Sequence, residues 1–498
     1  MLAVVVVAGC GGSGDDSDSP LGSALAYLPA DAPFAVAIAT DVDGGQLDQA
    51  QDALGDFSSG AELGAFAQSL LESRVGNLED VERILGNPFV VGSPDAGGFV
   101  DSEGDDTPFV AALEATDAGA LDELIDEQGA KEDGEVDGAQ LYTADSGDSF
   151  AVEDGVLVVA ETKAALEQAI ATRNGDDHLT EDDFEQATSA VPDDALLRVY
   201  VDVGGMLASS PDAAQALDAE WVAALRTAGI GLTLDDDRVA IDFAVATDPE
   251  GLTDADLPIA AGADSPAVLD GARGIQVALR DPAQIATFAQ SVARSIDPSG
   301  FDGFELGRDQ IEQRLGVDLE EDLLAQLDGL TATIQLDGAF GVRGEVGDPA
   351  AFERTLTKLA DVLPQFAEGV AGEKVGFAEP GPNEDLYALA TSGGDRIVFG
   401  LVDGVFVLSD DPRLAAEIAA ADTRAVPDAE GALVLNTDAE ELLRTVLSQA
   451  PIPGGTGFDP RELTRALTDG PLDQLNGSIE ASTSGLVGGF ELTLDDGP

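Results

Sequence analysis

The feature that most constrains this chain is that it repeats itself. Leu71-Glu72-Ser73-Arg74-Val75-Gly76 matches Ile311-Glu312-Gln313-Arg314-Leu315-Gly316, roughly 240 positions later. Phe109-Val110-Ala111, running on to Asp117 and Leu121, matches Phe340-Gly341-Val342 with Asp348 and Phe352. Glu153-Asp154-Gly155-Val156-Leu157-Val158 matches Val402-Asp403-Gly404-Val405-Phe406-Val407, and Ala190-Val191-Pro192-Asp193 matches Ala425-Val426-Pro427-Asp428. Apolar stretches around Phe243 and Phe490 close the two series in the same order. Matches in one order at similar spacing imply an internal duplication, with one lobe over residues 21–255 and a second over 256–498. The join falls between Asp248 and Gly262, a polar stretch punctuated by Pro and Gly.

Each half alternates strand and helix patterns. Ile230, Leu232 and Leu234 alternate, Asp235-Asp236-Asp237 turns the chain, and Val239, Ile241, Phe243 and Val245 alternate back. That spacing predicts a half-buried antiparallel pair. Asp154-Gly155 and Asp403-Gly404 suit two-residue turns in which both residues take positive φ. Asp281-Pro282, Asp348-Pro349 and Asp411-Pro412 each place a capping carboxylate before a proline at the first helical position. Hairpins interleaved with such helices predict the α+β class: two homologous lobes of antiparallel sheet with helices packed on one face.

Residues 1–10 carry a different message. Leu2 to Ala8 is a short apolar run, and Val7-Ala8-Gly9-Cys10 resembles a bacterial lipobox, in which the cysteine is acylated. Residues 11–20, rich in Gly, Ser and Asp, then read as a tether. The first basic residue is Arg74, so the basic start of such a signal is expected upstream of Met1. Each buried acyl CH₂ contributes about 0.8 kcal/mol, so two chains on Cys10 would hold the protein on the outer face of the cell membrane.

Composition removes whole classes of function. One Cys forbids an intrachain disulfide, and one His forbids a two-histidine metal site. With 97 acidic and 23 basic residues the formal charge is −74, which excludes nucleic acid as a partner because phosphate recognition needs clustered Lys and Arg. A hydrophobic content of 44% excludes a disordered acidic tail.

Leu28-Pro29-Ala30-Asp31-Ala32 opens the folded part, Asp154-Gly155 turns a hairpin, and Val191-Pro192-Asp193-Asp194 leads into a strand ending at Asp202. With the lipobox, these stretches resemble the secreted bacterial proteins of domain-of-unknown-function family 3352, over nearly the whole chain after the tether. The resemblance implies a location and a shape; it brings no activity and no catalytic residues.

Candidate chemistry is sparse. His178 lies in a polar connection before Thr180…Asp183 and reads as a solvated loop residue. No G-x-S-x-G elbow occurs, and Gly22-Ser23 and Gly92-Ser93 read as loop pairs. Asp101, Glu103, Asp105 and Asp106, Asp235, Asp236 and Asp237, and Asp41 with Asp43 form oxygen-rich stretches that suit weak Ca²⁺ binding without EF-hand spacing. The expectation is a lipid-anchored extracytoplasmic protein with a non-enzymatic binding or structural role and no required cofactor. The alternatives are a carrier holding a hydrophobic ligand between sheet and helices, and a secreted hydrolase using two close carboxylates, one with a raised pKa. Cationic molecules join hydrophobic ones as expected ligands.

Overall fold

The computed structural model describes residues 19–41, 83–94, 109–144, 149–235, 237–335, 338–360, 363, 374–380, 386–391, 396–443 and 472–494. Cys10, residues 11–18 of the tether, Asp43, the Arg74 stretch, Asp101, Glu103, Asp105, Asp106 and Asp236 lie outside the described residues, while the last two tether residues, Ser19 and Pro20, cap and open the first helix. The chain divides into two compact units. One holds the described residues up to Thr188 with Leu197–Asp202, the other Ser189–Leu196 with everything from Val203 onward. This division falls earlier than the expected join at 256, because the strands around Phe243 pair with strands near the C-terminus.

The first unit contains helix α1 (Pro20–Leu25), strands β1 (Phe34–Ile38), β2 (Phe89–Gly92) and β3 (Val110–Glu114), and helix α2 (Ala118–Glu127). Strands β4 (Lys131–Val136), β5 (Ala139–Thr143), β6 (Ser149–Glu153) and β7 (Val156–Ala160) follow. Helices α3 (Lys163–Arg173) and α4 (Glu181–Ala187) precede β8 (Leu197–Val201). Pairing is antiparallel throughout, in the order β8-β1-β2-β3-β7-β6-β5-β4. The edge strand β4 is charged and almost wholly exposed, which discourages pairing with another chain.

In the second unit the short helical segments Val203–Ser209 and Glu220–Ala224 precede the long hairpin β9 (Leu225–Asp235) and β10 (Arg238–Thr247), then the short β11 (Val268–Leu269) and β12 (Ile275–Arg280). Helices α5 (Pro282–Ile296) and α6 (Pro298–Leu315) lead to β13 (Leu327–Ile334), β14 (Phe340–Val346) and helix α7 (Pro349–Ala360). Strands β15 (Val375–Ala378), β16 (Tyr387–Thr391), β17 (Arg396–Val402) and β18 (Val405–Ser409) precede helix α8 (Pro412–Ala420). Last come β19 (Thr423–Arg424), β20 (Leu433–Asp438), β21 (Leu472–Ser482) and β22 (Gly485–Leu494).

Pairing here runs β20-β12-β13-β14-β18-β17-β16-β15, which repeats the order of the first unit strand for strand. Register repeats as well. Tyr200, Ala35, Gly92, Val110 and Ala160 form one row across the first sheet, and Asn436, Gln276, Thr333, Gly341 and Ser409 form the corresponding row across the second. Beyond β20 the second sheet continues β21-β22-β10-β9. Ile241 pairs with Phe490 and Phe243 with Gly488, so the two hairpins lie side by side with their turns at opposite ends. The rings of Phe243 and Phe490 stack at 6.0 Å.

Local expectations meet the structure in most places. Asp154 and Gly155, and Asp403 and Gly404, all take positive φ at their turns. Asp117, Asp348 and Asp411 accept backbone N–H groups at their helix starts. Asp281 does not cap. It sits at φ 48° with no side-chain bond to the helix, because its N–H is taken by the Asp328 carbonyl. Gly22-Ser23 lies inside α1, and Gly92 ends β2, so neither pair is a free loop.

The helices cover both faces of each sheet, contrary to the one-faced arrangement expected. Leu21, Leu25, Leu166, Ile170 and Phe184, from α1, α3 and α4, pack with Val90, Val110 and Val158. Leu121 and Ile125 of α2 pack with Leu113, Phe150 and Leu157 on the opposite face. In the second unit Leu414 and Ile418 of α8 meet Val407, while Phe352 and Leu356 of α7 meet Phe406 and Leu408. The cause lies in strands such as Val156-Leu157-Val158-Val159-Ala160, apolar at consecutive positions, which must be covered on both sides.

Candidate functional site

Of the expected metal candidates, Asp41, Asp235 and Asp237 lie among the described residues. Asp235 holds the Arg238 guanidinium at 2.5 Å, and the Asp237 carbonyl accepts from Leu494 N–H, so the described acids of this turn serve the hairpin. No cluster of three metal-ligating side chains occurs among the described residues. His178 is half-buried, with Nδ1 3.3 Å from the Gly175 carbonyl oxygen.

The stretches behind the family resemblance are structural. Leu28 and Ala32 are buried in the first core. Tyr27 donates to the buried Glu153 carboxylate at 3.1 Å, and Arg173 reaches the same carboxylate at 3.3 Å while stacking over the Tyr27 ring. Burial is the leading reason that the Tyr27 hydroxyl stays protonated far above the usual tyrosine range. Val191 packs down onto Gly231, where a Cβ would lie 2.0 Å from Val191 Cγ1, so only glycine fits. Both Val-Pro-Asp segments border one feature. Pro192 and Pro427 line a groove of about 660 Å³ on the second sheet.

Alternation along the strands builds the floor of this groove. Ile241, Phe243, Phe490 and Ile479 share one face; Thr233, Ala240, Asp242, Glu491, Asn476 and Asn436 share the other. The second face is the floor, so it carries polar side chains where a sheet interior would carry apolar ones. Asn436, buried at 4% exposure, anchors it. Its Nδ2 donates to Asn476 Oδ1 at 2.7 Å and Gln474 Oε1 at 3.3 Å, and its Oδ1 accepts from Arg424 Nη2 at 3.0 Å.

Arg238 spans Asp235 and Glu491, at 2.5 and 3.1 Å. Asp242 is half-buried beside Gly489, where a Cβ would lie 2.9 Å from its Oδ1. Loss of solvent raises its carboxyl above the usual range; Arg238 opposes this and Glu491 adds to it. The Thr233 hydroxyl, on a residue 6% exposed, has no hydrogen-bond partner among the described residues. Such a floor presents fixed donors and acceptors to a small polar molecule.

Sequence reasoning passed over these residues because they come from strands far apart along the chain. One signal was readable: Asp242, Asn436, Gln474 and Asn476 are residue types depleted in strands, and the structure places all four inside strands.

The family model "Protein of unknown function (DUF3352)" matches residues 1–367. The chain belongs to the DUF3352 family. The match takes in the first unit and the second as far as the residues just past α7, so it stops short of the coverage the resemblance implied. Strands β20 to β22, which supply much of the groove floor of this DUF3352 protein, lie beyond it. No curated protein matches the chain. Solved structures of TP0453 in crystal forms III and IV share 10% and 11% identity, covering 46% and 45% of this chain and 82% and 80% of theirs, with TM-scores of 0.25 and 0.24. That likeness is too distant to carry an argument. No helix among the described residues is long and apolar enough to cross a membrane.

Proposed function

We propose that this DUF3352 protein is a lipid-anchored extracytoplasmic protein of two homologous α+β lobes, which binds a small polar solute without transforming it. The observation that carries the binding role is the groove floor: a polar sheet face in which Asn436 orients two further amides and Asp242 has no hydrogen bond or ion pair among the described residues. The Cys10 stretch and its tether support the anchor. The shared strand order and row register of the two units support the duplication. A hydrophobic carrier is disfavoured by this lining, and the sheet face under α5 is filled by Trp221, Leu279, Ile285 and Leu433.

One observation favours the hydrolase reading: Asp242, with its raised carboxyl, lies in a cleft with a second acid, Glu491. Against it, the Glu491 carboxylate is engaged by the Arg238 guanidinium at 3.1 Å.

Native mass spectrometry of protein purified from its source tests the binding role. Wild type is expected to carry a small molecule that Ala429→Trp, a rim substitution filling the groove, loses while keeping its circular dichroism spectrum. Equal retention by both proteins would remove the groove as the site. Labelling with a clickable fatty acid tests the anchor: Cys10→Ser is expected to lose the label and the membrane fraction, and retained label would refute it.

A further inference from the structure

We propose that the groove takes an amine-bearing polyol, for which an amino sugar is the simplest form, with its ammonium against Asp242 and its hydroxyl oxygens on the amide NH₂ groups of Gln474 and Asn476. This rests on the binding reading above and names its ligand class. The orientation of the amides follows from donor chemistry. A guanidinium only donates, so the Asn436 oxygen faces Arg424 and its NH₂ faces the neighbouring amides. Both hydrogens of that NH₂ are used on the oxygens of Gln474 and Asn476. The NH₂ groups of Gln474 and Asn476 are thereby turned away from Asn436, and neither has a partner among the described residues. They offer fixed donors that call for oxygen acceptors.

The other end of the floor calls for the reverse. Asp242 has no hydrogen bond or ion pair among the described residues; the bonds of the nearby Arg238 run to Asp235 and Glu491. Thr233, on the neighbouring strand and on the same face, adds a buried hydroxyl without a partner among the described residues. A carboxylate and a hydroxyl together suit an ammonium group, which carries several donors and no acceptor.

Charge decides between ligands that satisfy both ends. Asp242, Asp428, Asp473 and Glu491 line the groove against Arg238 and Arg424, so an anionic or zwitterionic ligand meets repulsion where a neutral polyol oxygen does not. Size agrees. Asp242 on β10 and Asn476 on β21 are two strands apart, about 10 Å between backbones, a span that two side chains and one sugar ring fill.

Calorimetric titration of the full chain with glucosamine, N-acetylglucosamine and glucose tests this, at about 0.3 M NaCl to screen diffuse attraction to the acidic surface. Glucosamine is expected to bind at least about tenfold more tightly than the two neutral sugars. Asp242→Asn is expected to abolish that preference, Asn476→Ala to weaken all three sugars alike, and Asp176→Asn, an exposed acid of the other unit, to change nothing. Thermal melts of each variant check folding. Saturable binding of the three sugars with equal affinity, or an amine preference that survives Asp242→Asn, overturns the assignment and leaves the groove a binding site. No saturable binding of any sugar, while native spectra still show a groove-dependent ligand, overturns the polyol class alone.

Discussion

The two sheets share a strand order and differ in what they carry at corresponding positions. In the first unit the row Tyr200, Ala35, Gly92, Val110, Ala160 is buried beneath α1, α3 and α4. Tyr200 packs its ring on Phe184 at 6.5 Å, and Leu28 presses onto Gly92, where a Cβ would lie 2.5 Å from Leu28 Cδ1. In the second unit the same row reads Asn436, Gln276, Thr333, Gly341, Ser409. It is equally buried, but Asn436, Gln276 and Ser409 are hydrogen-bonded there, Gln276 accepting from Leu269 N–H at 2.8 Å and donating to its carbonyl at 3.1 Å, while the Thr333 hydroxyl has no partner among the described residues. One frame therefore accepts either an apolar filling, which stabilises, or a hydrogen-bonded one, which contributes less but leaves oriented polar groups at the rim. The groove adjoins the second filling.

Exchanging residues between the rows breaks the comparison most directly. Tyr200→Asn, importing the residue of the second sheet, should destabilise by about 3–5 kcal/mol, since it opens a cavity under Phe184 and strands an amide in an apolar cluster. A loss under about 1 kcal/mol in urea unfolding would mean that the first core tolerates the polar row, and the contrast would collapse. Asn436→Ala should cost less, about 1–3 kcal/mol, because Arg424, Asn476 and Gln474 lose their shared partner. A neutral result would show that water replaces Asn436 and that the second row is not held by that side chain.

Helix starts give a finer contrast. Asp411→Ala should cost about 1 kcal/mol through the lost bond to Arg413 N–H, whereas Asp281→Ala should fall within about 0.5 kcal/mol. Equal losses would show that Asp281 acts through its charge.

The smallest effect is the pH response. Asp242 binds its proton more tightly folded than unfolded, so its contribution makes the folded state gain stability as pH falls from neutrality through its raised value. Asp297 has the opposite sign. The Gly300 N–H and Ser299 hydroxyl bound to its carboxylate lower its value, so its contribution is present at neutral pH and is lost as pH falls through that lowered value. Melting curves of wild type and Asp242→Asn should therefore converge as pH falls toward the ordinary aspartate range, with the variant more stable at pH 7. Curves that stay parallel would show that Asp242 is already solvated.

The sequence by itself determined the parts governed by neighbours along the chain. Asp-Gly pairs specify turns because both residues take positive φ locally, and Asp117, Asp348 and Asp411 cap because the N–H groups they bind lie two or three residues on. The ordered matches also placed strands that the two sheets use in the same register, since Glu114 faces Val156 as Glu345 faces Val405. Tertiary structure alone decided which face of each strand became core and which became groove. Alternation divides β10 into Ile241, Phe243 and Val245 against Ala240 and Asp242 without saying which side closes. The apolar side left Ile241 43% exposed, while Val191 closed over Gly231 on the other. Asp281 shows the same limit on a smaller scale: its local signal matched Asp411, but the Asp328 carbonyl from another strand claimed its N–H and turned its backbone left-handed. Contacts made across long sequence separations are invisible to local pattern, and the polar floor of this molecule is assembled from strands more than two hundred residues apart.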